Sequence, residues 1–233
     1  MKLNFKLIKN KLFLFLIILF GFNNKLNQLR AEKYEINIQG SNIDFVLRLL
    51  KKADKRNAPK ILTNADSSKS ITYKKNNFQR ELSKKELIYL IKNPRNFYQE
   101  QNFVKDSLKF LNQLGISLFL VDLENKKGSA YWLPEKKIIR IDSKTLNAGS
   151  STFAKILNHE MIHVAQSCKG GSVNSSPRLI GLNEKMNKEK IYLLSSKVYK
   201  NLTKYQISLE KEAYSYQDNL SVGKYLINKF CDV

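Results

Sequence analysis

Residues 153–165 read Phe153-Ala154-Lys155-Ile156-Leu157-Asn158-His159-Glu160-Met161-Ile162-His163-Val164-Ala165, and they hold both histidines of the 233-residue chain. Apolar side chains recur on both sides of the histidine pair, a pattern that predicts a buried helix over 151–167 entered through Ser150, Ser151 or Thr152 as N-cap. Positions i and i+4 of a helix share one face, about 5–6 Å apart at Cβ, so both imidazoles can reach one metal ion. Two histidines placed at random with a glutamate directly after the first arise in on the order of 1 in 2,000 chains of this length, so the spacing is a signal rather than noise.

The chemistry follows from the residue types. Neutral imidazole suits Zn²⁺, at about 2.0–2.1 Å from ring nitrogen to metal. Glu160 is displaced around the helix from the two ligands, where it can act as general base on a water that the metal polarises. A catalytic zinc site needs a third protein ligand. No third histidine exists, so the ligand comes from Cys168 or from a downstream carboxylate among Glu184, Glu189, Glu210, Glu212, Asp218 and Asp232. Glu210 is the first choice. On a helix it shares a face with Ile207, Ala213, Tyr214 and Gln217, and small Ala213 lets the motif helix approach. Glu212 points instead toward the face of Tyr205 and Ser208. Glu212 and Cys168 stay open as ligands. Gln166, three residues past His163, could line the site but is expected at the surface, and Trp132 is expected in packing.

Working outward, apolar spacing predicts a helix over 41–56. Residues 57–82 are polar and read as a loop, with one extended candidate at Ile71-Thr72-Tyr73. Ser83 and Glu86 form a capping box for a helix that stops at Asn93-Pro94, and a third helix ends at Gly115. Three apolar runs of strand length follow at 116–121, 130–133 and 138–141. Lys188 to Leu202, Tyr205 to Gln217 and Val222 to Phe230 are helical. The fold class is α+β: a small, mostly antiparallel sheet packed on the motif helix, with a helical C-terminal part.

The chain carries 41 basic and 20 acidic residues, a formal +21. Lys outnumbers Arg 34 to 7 and is spread along the whole length. Arg is the residue of bidentate phosphate and base contacts, so a nucleic-acid partner is not expected, whereas weak attraction to an anionic membrane surface is. Lys2, Lys6, Lys9 and Lys11 precede the apolar run Leu12–Phe20, so residues 1–22 read as a signal peptide. The following residues lack a small-x-small cleavage site, which favours an uncleaved membrane anchor. Residues 23–95 form a helical and loop region of unassigned role, and 96–233 the domain that carries the motif. The expected location is the periplasm, a lumen or the cell exterior, in solution or on the membrane. An exported chain with Cys168 and Cys231 as its two cysteines pairs them, with two free thiols as the alternative.

His159-Glu160-Met161-Ile162-His163, the strand pair before it and the later Glu210-Lys211-Glu212-Ala213 resemble the zincin metallopeptidases, in particular the glutamate-ligand branch called gluzincins. The resemblance covers roughly residues 97–220. It implies a zincin-like fold, Zn²⁺ held by His159, His163 and Glu210, Glu160 as catalytic base, and a peptide or protein substrate. It also implies that the strand near Gly128–Leu133 lies at a sheet edge and pairs with an extended substrate. Gluzincins carry Asp four residues after the ligand glutamate; here that position is Tyr214. Tyr205, Tyr214 and Tyr216 are candidates to stabilise the transition state or to support a ligand from behind. The expected activity is zinc-dependent peptide hydrolysis; the rival is a non-catalytic zincin scaffold that keeps structural zinc and binds a partner in the cell envelope.

Overall fold

The computed structural model describes residues 36–74, 81–123 and 128–231; the expected signal or anchor segment 1–22 lies outside them. The order is β1 (Ile36–Asn37), α1 (Ser41–Asn57), β2 (Lys60–Thr63), β3 (Lys69–Thr72), α2 (Lys84–Lys92), α3 (Tyr98–Gln113), β4 (Ser117–Val121), β5 (Ala130–Leu133), β6 (Ile138–Asp142), α4 (Ser150–Lys169), α5 (Lys188–Leu194), α6 (Lys204–Tyr216) and α7 (Val222–Phe230). The architecture is α+β.

Four strands form one mixed sheet in the order β1-β4-β6-β5. The expected mostly antiparallel sheet needs correction at its centre. β4 and β6 run parallel, with Leu118 opposite Ile139 and Leu120 opposite Ile141, while β1 and β5 pair antiparallel outside them. Burial explains the arrangement. Leu118, Leu120, Ile139 and Ile141 are all buried, so the two most apolar strands take the middle, and half-exposed β5 goes to the edge. Pro134–Lys136 and left-handed Lys137 turn β5 into β6.

Within the expected loop 57–82, the described part up to residue 74 is more ordered than expected. β2 and β3 form a hairpin with Ile61 opposite Ile71. Its turn is held by Asp66, which accepts from the Ser68 amide and hydroxyl at 3.0 and 2.6 Å. Nearly every side chain of the ribbon is exposed or half-exposed, so no burial pattern announced it. The expected helix 188–202 is broken: α5 ends at Leu194, a 3₁₀ turn spans Lys197–Tyr199, and Thr203 opens α6 with a capping box to Gln206. The α2 capping box from Ser83 to Glu86 forms as expected.

One core joins these elements. Val46 and Leu50 of α1, Val104, Leu108 and Leu111 of α3, the central strands, and Leu226 and Ile227 of α7 all pack around α4. Phe153, Leu157, Met161, Ile162, Val164 and Ala165 of α4 are wholly buried. At about 1.5–3 kcal/mol per large apolar side chain, this burial holds α4 more firmly than helix propensity does. Among the described residues no helix is long and apolar enough to cross a membrane.

Candidate metal centre

The start of α4 is set by a residue of α1. Its expected Ser or Thr cap is absent; the N-cap is Gly149 at φ 93°, and no side chain of α4 caps its own end. Asp54 does so from outside, accepting from the Ser150 amide at 2.8 Å and the Ser150 hydroxyl at 2.5 Å, with Gln101 donating to it at 3.1 Å. A Cβ at Gly149 would stand 2.5 Å from Asp54 Oδ1, so both the dihedral and the close approach require glycine. At the other end Cys168 is disulfide-bonded to Cys231 just past α7, Cα to Cα 4.9 Å. That bond removes Cys168 from the candidate ligands.

Asn158, the residue before the motif, is buried and joins α4 to the α6–α7 corner. Its Nδ2 donates to the carbonyls of Tyr216, Gln217 and Asn219, and its Oδ1 accepts from Gly223. These contacts satisfy carbonyls that the end of α6 leaves unpaired. With Ala213 fully buried between the helices, they bring Glu210 over the motif.

His159 Nε2 and His163 Nε2 lie 3.1 Å apart. One Glu210 oxygen is 3.2 Å from His159 Nε2 and the other 3.5 Å from His163 Nε2. Four ligands at about 2.0–2.1 Å in tetrahedral array are about 3.3–3.4 Å from one another. Each of these contacts is close to that length, but the carboxylate meets the two rings with different oxygens, and with one donor atom per residue the three lie within 4.8 Å of one another. These are the three residues among those described whose donor atoms cluster as a metal site requires. Glu160 is nearly fully buried, and its Oε2 has no hydrogen-bond partner among the described residues. A buried, unpaired carboxylate oxygen beside two imidazole nitrogens and a second carboxylate is a donor set that fits Zn²⁺ and a water.

The electrostatics agree. Burial pushes the Glu160 carboxyl up, against the pull of His159 and His163. Burial opposes ionisation of Glu210 as well, but the two imidazoles overcome it and hold that carboxyl far below its usual range. Burial alone would depress His163; Glu210, Glu160 and Gln166 together outweigh it and raise the ring to about 9.

Two expectations need correction. Gln166 is wholly buried rather than at the surface, with its Oε1 2.7 Å from His163 Nδ1. Glu212, the alternative ligand, lies outside the donor cluster and is buried. It accepts from Gln166 Nε2 and from the amides of Ile180, Gly181 and Leu182 at 2.7–3.0 Å.

Among the tyrosines, Tyr214 sits with its ring 4.6 Å from that of His159, edge to face, and shares a 2.8 Å hydrogen bond with Tyr199. Burial raises the phenol of Tyr214 to about 12 and that of Tyr199 further. Tyr205 is half-exposed at the cavity rim. Tyr216 is turned away from the cavity, with Lys185 over its ring. Tyr199, Asp54 and Asn158 escaped sequence reasoning because each acts through a long-range contact. Gln166 alone left a trace, three residues from His163 inside an apolar flank.

The pair His159 and His163, with Glu160 and Glu210, opens on a cavity of about 1450 Å³ whose far wall includes Tyr73, Leu90 and Phe97. β5 borders it through Ala130, Tyr131 and Trp132. The Asp142 amide donates to the Ser129 carbonyl at 2.8 Å, which makes Tyr131·Arg140 and Leu133·Ile138 the hydrogen-bonded pairs. The N–H and C=O of Ala130 and Trp132 therefore point away from β6, along an edge that no other described strand pairs with. Trp132 itself packs as expected, its indole donating to Ser167 at 2.9 Å.

No curated protein and no solved structure matches the chain. Residues 117–232 match the family model described as Domain of unknown function (DUF8637), a span that opens with β4 and takes in β5, the motif helix and Glu210.

Proposed function

We propose that the chain is a zinc-dependent peptidase of zincin-like fold, working outside the cytoplasm or anchored to a membrane. The observation that carries the reading is the convergence of His159, His163 and Glu210, the two rings 3.1 Å apart at Nε2 and each within 3.2–3.5 Å of one Glu210 oxygen, with the unpaired oxygen of Glu160 alongside. His159, His163 and Glu210 would hold the ion, and when bound zinc supplies Lewis acidity toward a carbonyl and lowers the pKa of water.

The protein's own residues account for the rest. The outward N–H and C=O groups of Ala130 and Trp132 offer an extended peptide four backbone hydrogen bonds, independent of its sequence. Glu160 Oε2 takes a proton from water as its oxygen bonds to the carbonyl carbon. It returns that proton to the departing amine as the C–N bond breaks, so its raised carboxyl suits a group that must both accept and give. The buried wall of α4 keeps bulk water from the pair. The Cys168–Cys231 bridge supports an oxidising compartment, and the Lys excess supports membrane association.

The test is metal content and turnover of the full chain. One zinc per chain by atomic absorption, with cleavage of a mixed peptide library that Glu160→Gln abolishes, is expected. Equal cleavage by wild type and Glu160→Gln refutes the assignment. Stoichiometric zinc without any cleavage leaves the envelope-binding scaffold as the function.

A further inference from the structure

Gln166 stands one layer behind the candidate ligands, and its polarity can be read from its partners. Its Nε2 faces two acceptors, the Leu209 carbonyl at 3.1 Å and Glu212 Oε2 at 3.0 Å, so the amide hydrogens lie there. Its Oε1 must then face His163 Nδ1, 2.7 Å away, and accept a proton from it. With Nδ1 bearing hydrogen, the lone pair of neutral His163 is on Nε2, toward His159 and Glu210. Only a carboxamide can accept from an imidazole and donate to two acceptors at once; a carboxylate lacks the donors, and an apolar side chain leaves all three groups unpaired.

Glu212 extends the chain of bonds. Three consecutive amides, Ile180, Gly181 and Leu182, converge on its carboxylate, a concave nest of N–H groups closed on a side chain of the same protein. The Arg178 amide donates to the Gln166 carbonyl at 2.8 Å, and Ser176 and Pro177, just ahead, line the cavity. The irregular segment 176–182 is thus tied to His163 through two side chains, with Glu212 polarising the amide that receives the Nδ1 proton.

We infer that Gln166 is the positioning residue of His163, and that Glu212, acting through it, couples metal binding to the order of the cavity rim at 176–182. The inference rests on the metal reading proposed above.

The experiment compares wild type with Gln166→Met and Glu212→Gln, both close in shape to the native side chain. Zinc affinity is measured by competition with a chromogenic chelator, and amide exchange of 180–182 with and without zinc. Loss of a partner behind a ligand histidine weakens zinc binding 10–100-fold, and that loss is expected in both variants while they remain folded, each melting lower without metal because buried groups are left unpaired. In wild type, zinc slows exchange at 180–182; in Gln166→Met it does not. A second readout needs no metal: with two histidines in the chain, the His163 Nδ1 proton is readily assigned in ¹H–¹⁵N spectra, and its downfield resonance disappears in Gln166→Met. Folded Gln166→Met with wild-type zinc affinity overturns this inference alone, as does an unaltered Nδ1 resonance. A wild-type chain that takes up no zinc overturns the metal reading and this one together.

Discussion

Replacing Asp54 with alanine tests whether α1 holds the motif helix α4 in place. Asp54 is buried in α1, 96 residues from Ser150, and accepts from both the amide and hydroxyl of that residue. Loss of an N-cap side chain costs about 1 kcal/mol. The Ser150 amide and hydroxyl have no exposure to water, and leaving such groups unpaired costs about 1–3 kcal/mol. Taken together, Asp54→Ala is expected to lose about 3 kcal/mol, a fall of roughly 6–12 °C in melting temperature for a chain of this size. Calorimetry measures the loss, and hydrogen exchange locates it, with faster exchange expected at amides 150–153 before any change in α3. Asp54→Asn retains an acceptor for the amide and should lose less than half as much. A melting temperature within 2 °C of wild type for Asp54→Ala would show that α4 starts without help from α1, and the reasoning fails.

A Cβ at Gly223 would stand 2.5 Å from Asn158 Oδ1 and 2.8 Å from Met161 Cβ, so Gly223→Ala should cost about 1–3 kcal/mol by thermal melt, with an unchanged melt as the contrary result. The Cys168–Cys231 bond closes a separation of 63 residues, worth about 4 kcal/mol in the chain-entropy model; Cys231→Ser should melt correspondingly lower, and a shift under 1 kcal/mol would assign the bond no structural weight. His163 at about 9 lies above its unfolded value of about 6.5, so in metal-free protein its contribution is complete below about pH 6.5 and lost as pH rises toward 9. Since zinc and the proton compete for this ring, zinc affinity should climb over the same window, and a flat profile between pH 6.5 and 9 contradicts the assignment.

What could be read in advance tracks how local each signal is. The His159–His163 pair, the Ser83–Glu86 capping box and the helix end at Gly115 depend on neighbours within one turn, and all are legible in sequence. The edge position of β5 was legible only through the resemblance. The parallel pairing of β4 with β6 was hidden because the alternation of Leu118, Leu120, Ile139 and Ile141 constrains burial and not direction. The β2–β3 hairpin escaped because its side chains bury little, leaving only turn chemistry at Asn64–Ser68 to mark it. At the site, the pairing of His159 with His163 follows from helical spacing, whereas Gln166 and Glu212 acquire their contacts from each other across α4 and α6.

X-ray absorption at the zinc edge of the purified full-length chain tests the central claim most directly. The account predicts one zinc with two imidazole nitrogens and a carboxylate oxygen at about 2.0–2.1 Å, no sulfur shell near 2.3 Å, and loss of an oxygen scatterer with at least tenfold weaker binding in Glu210→Ala. A sulfur shell, or a spectrum and affinity that Glu210→Ala leaves unchanged, would contradict it.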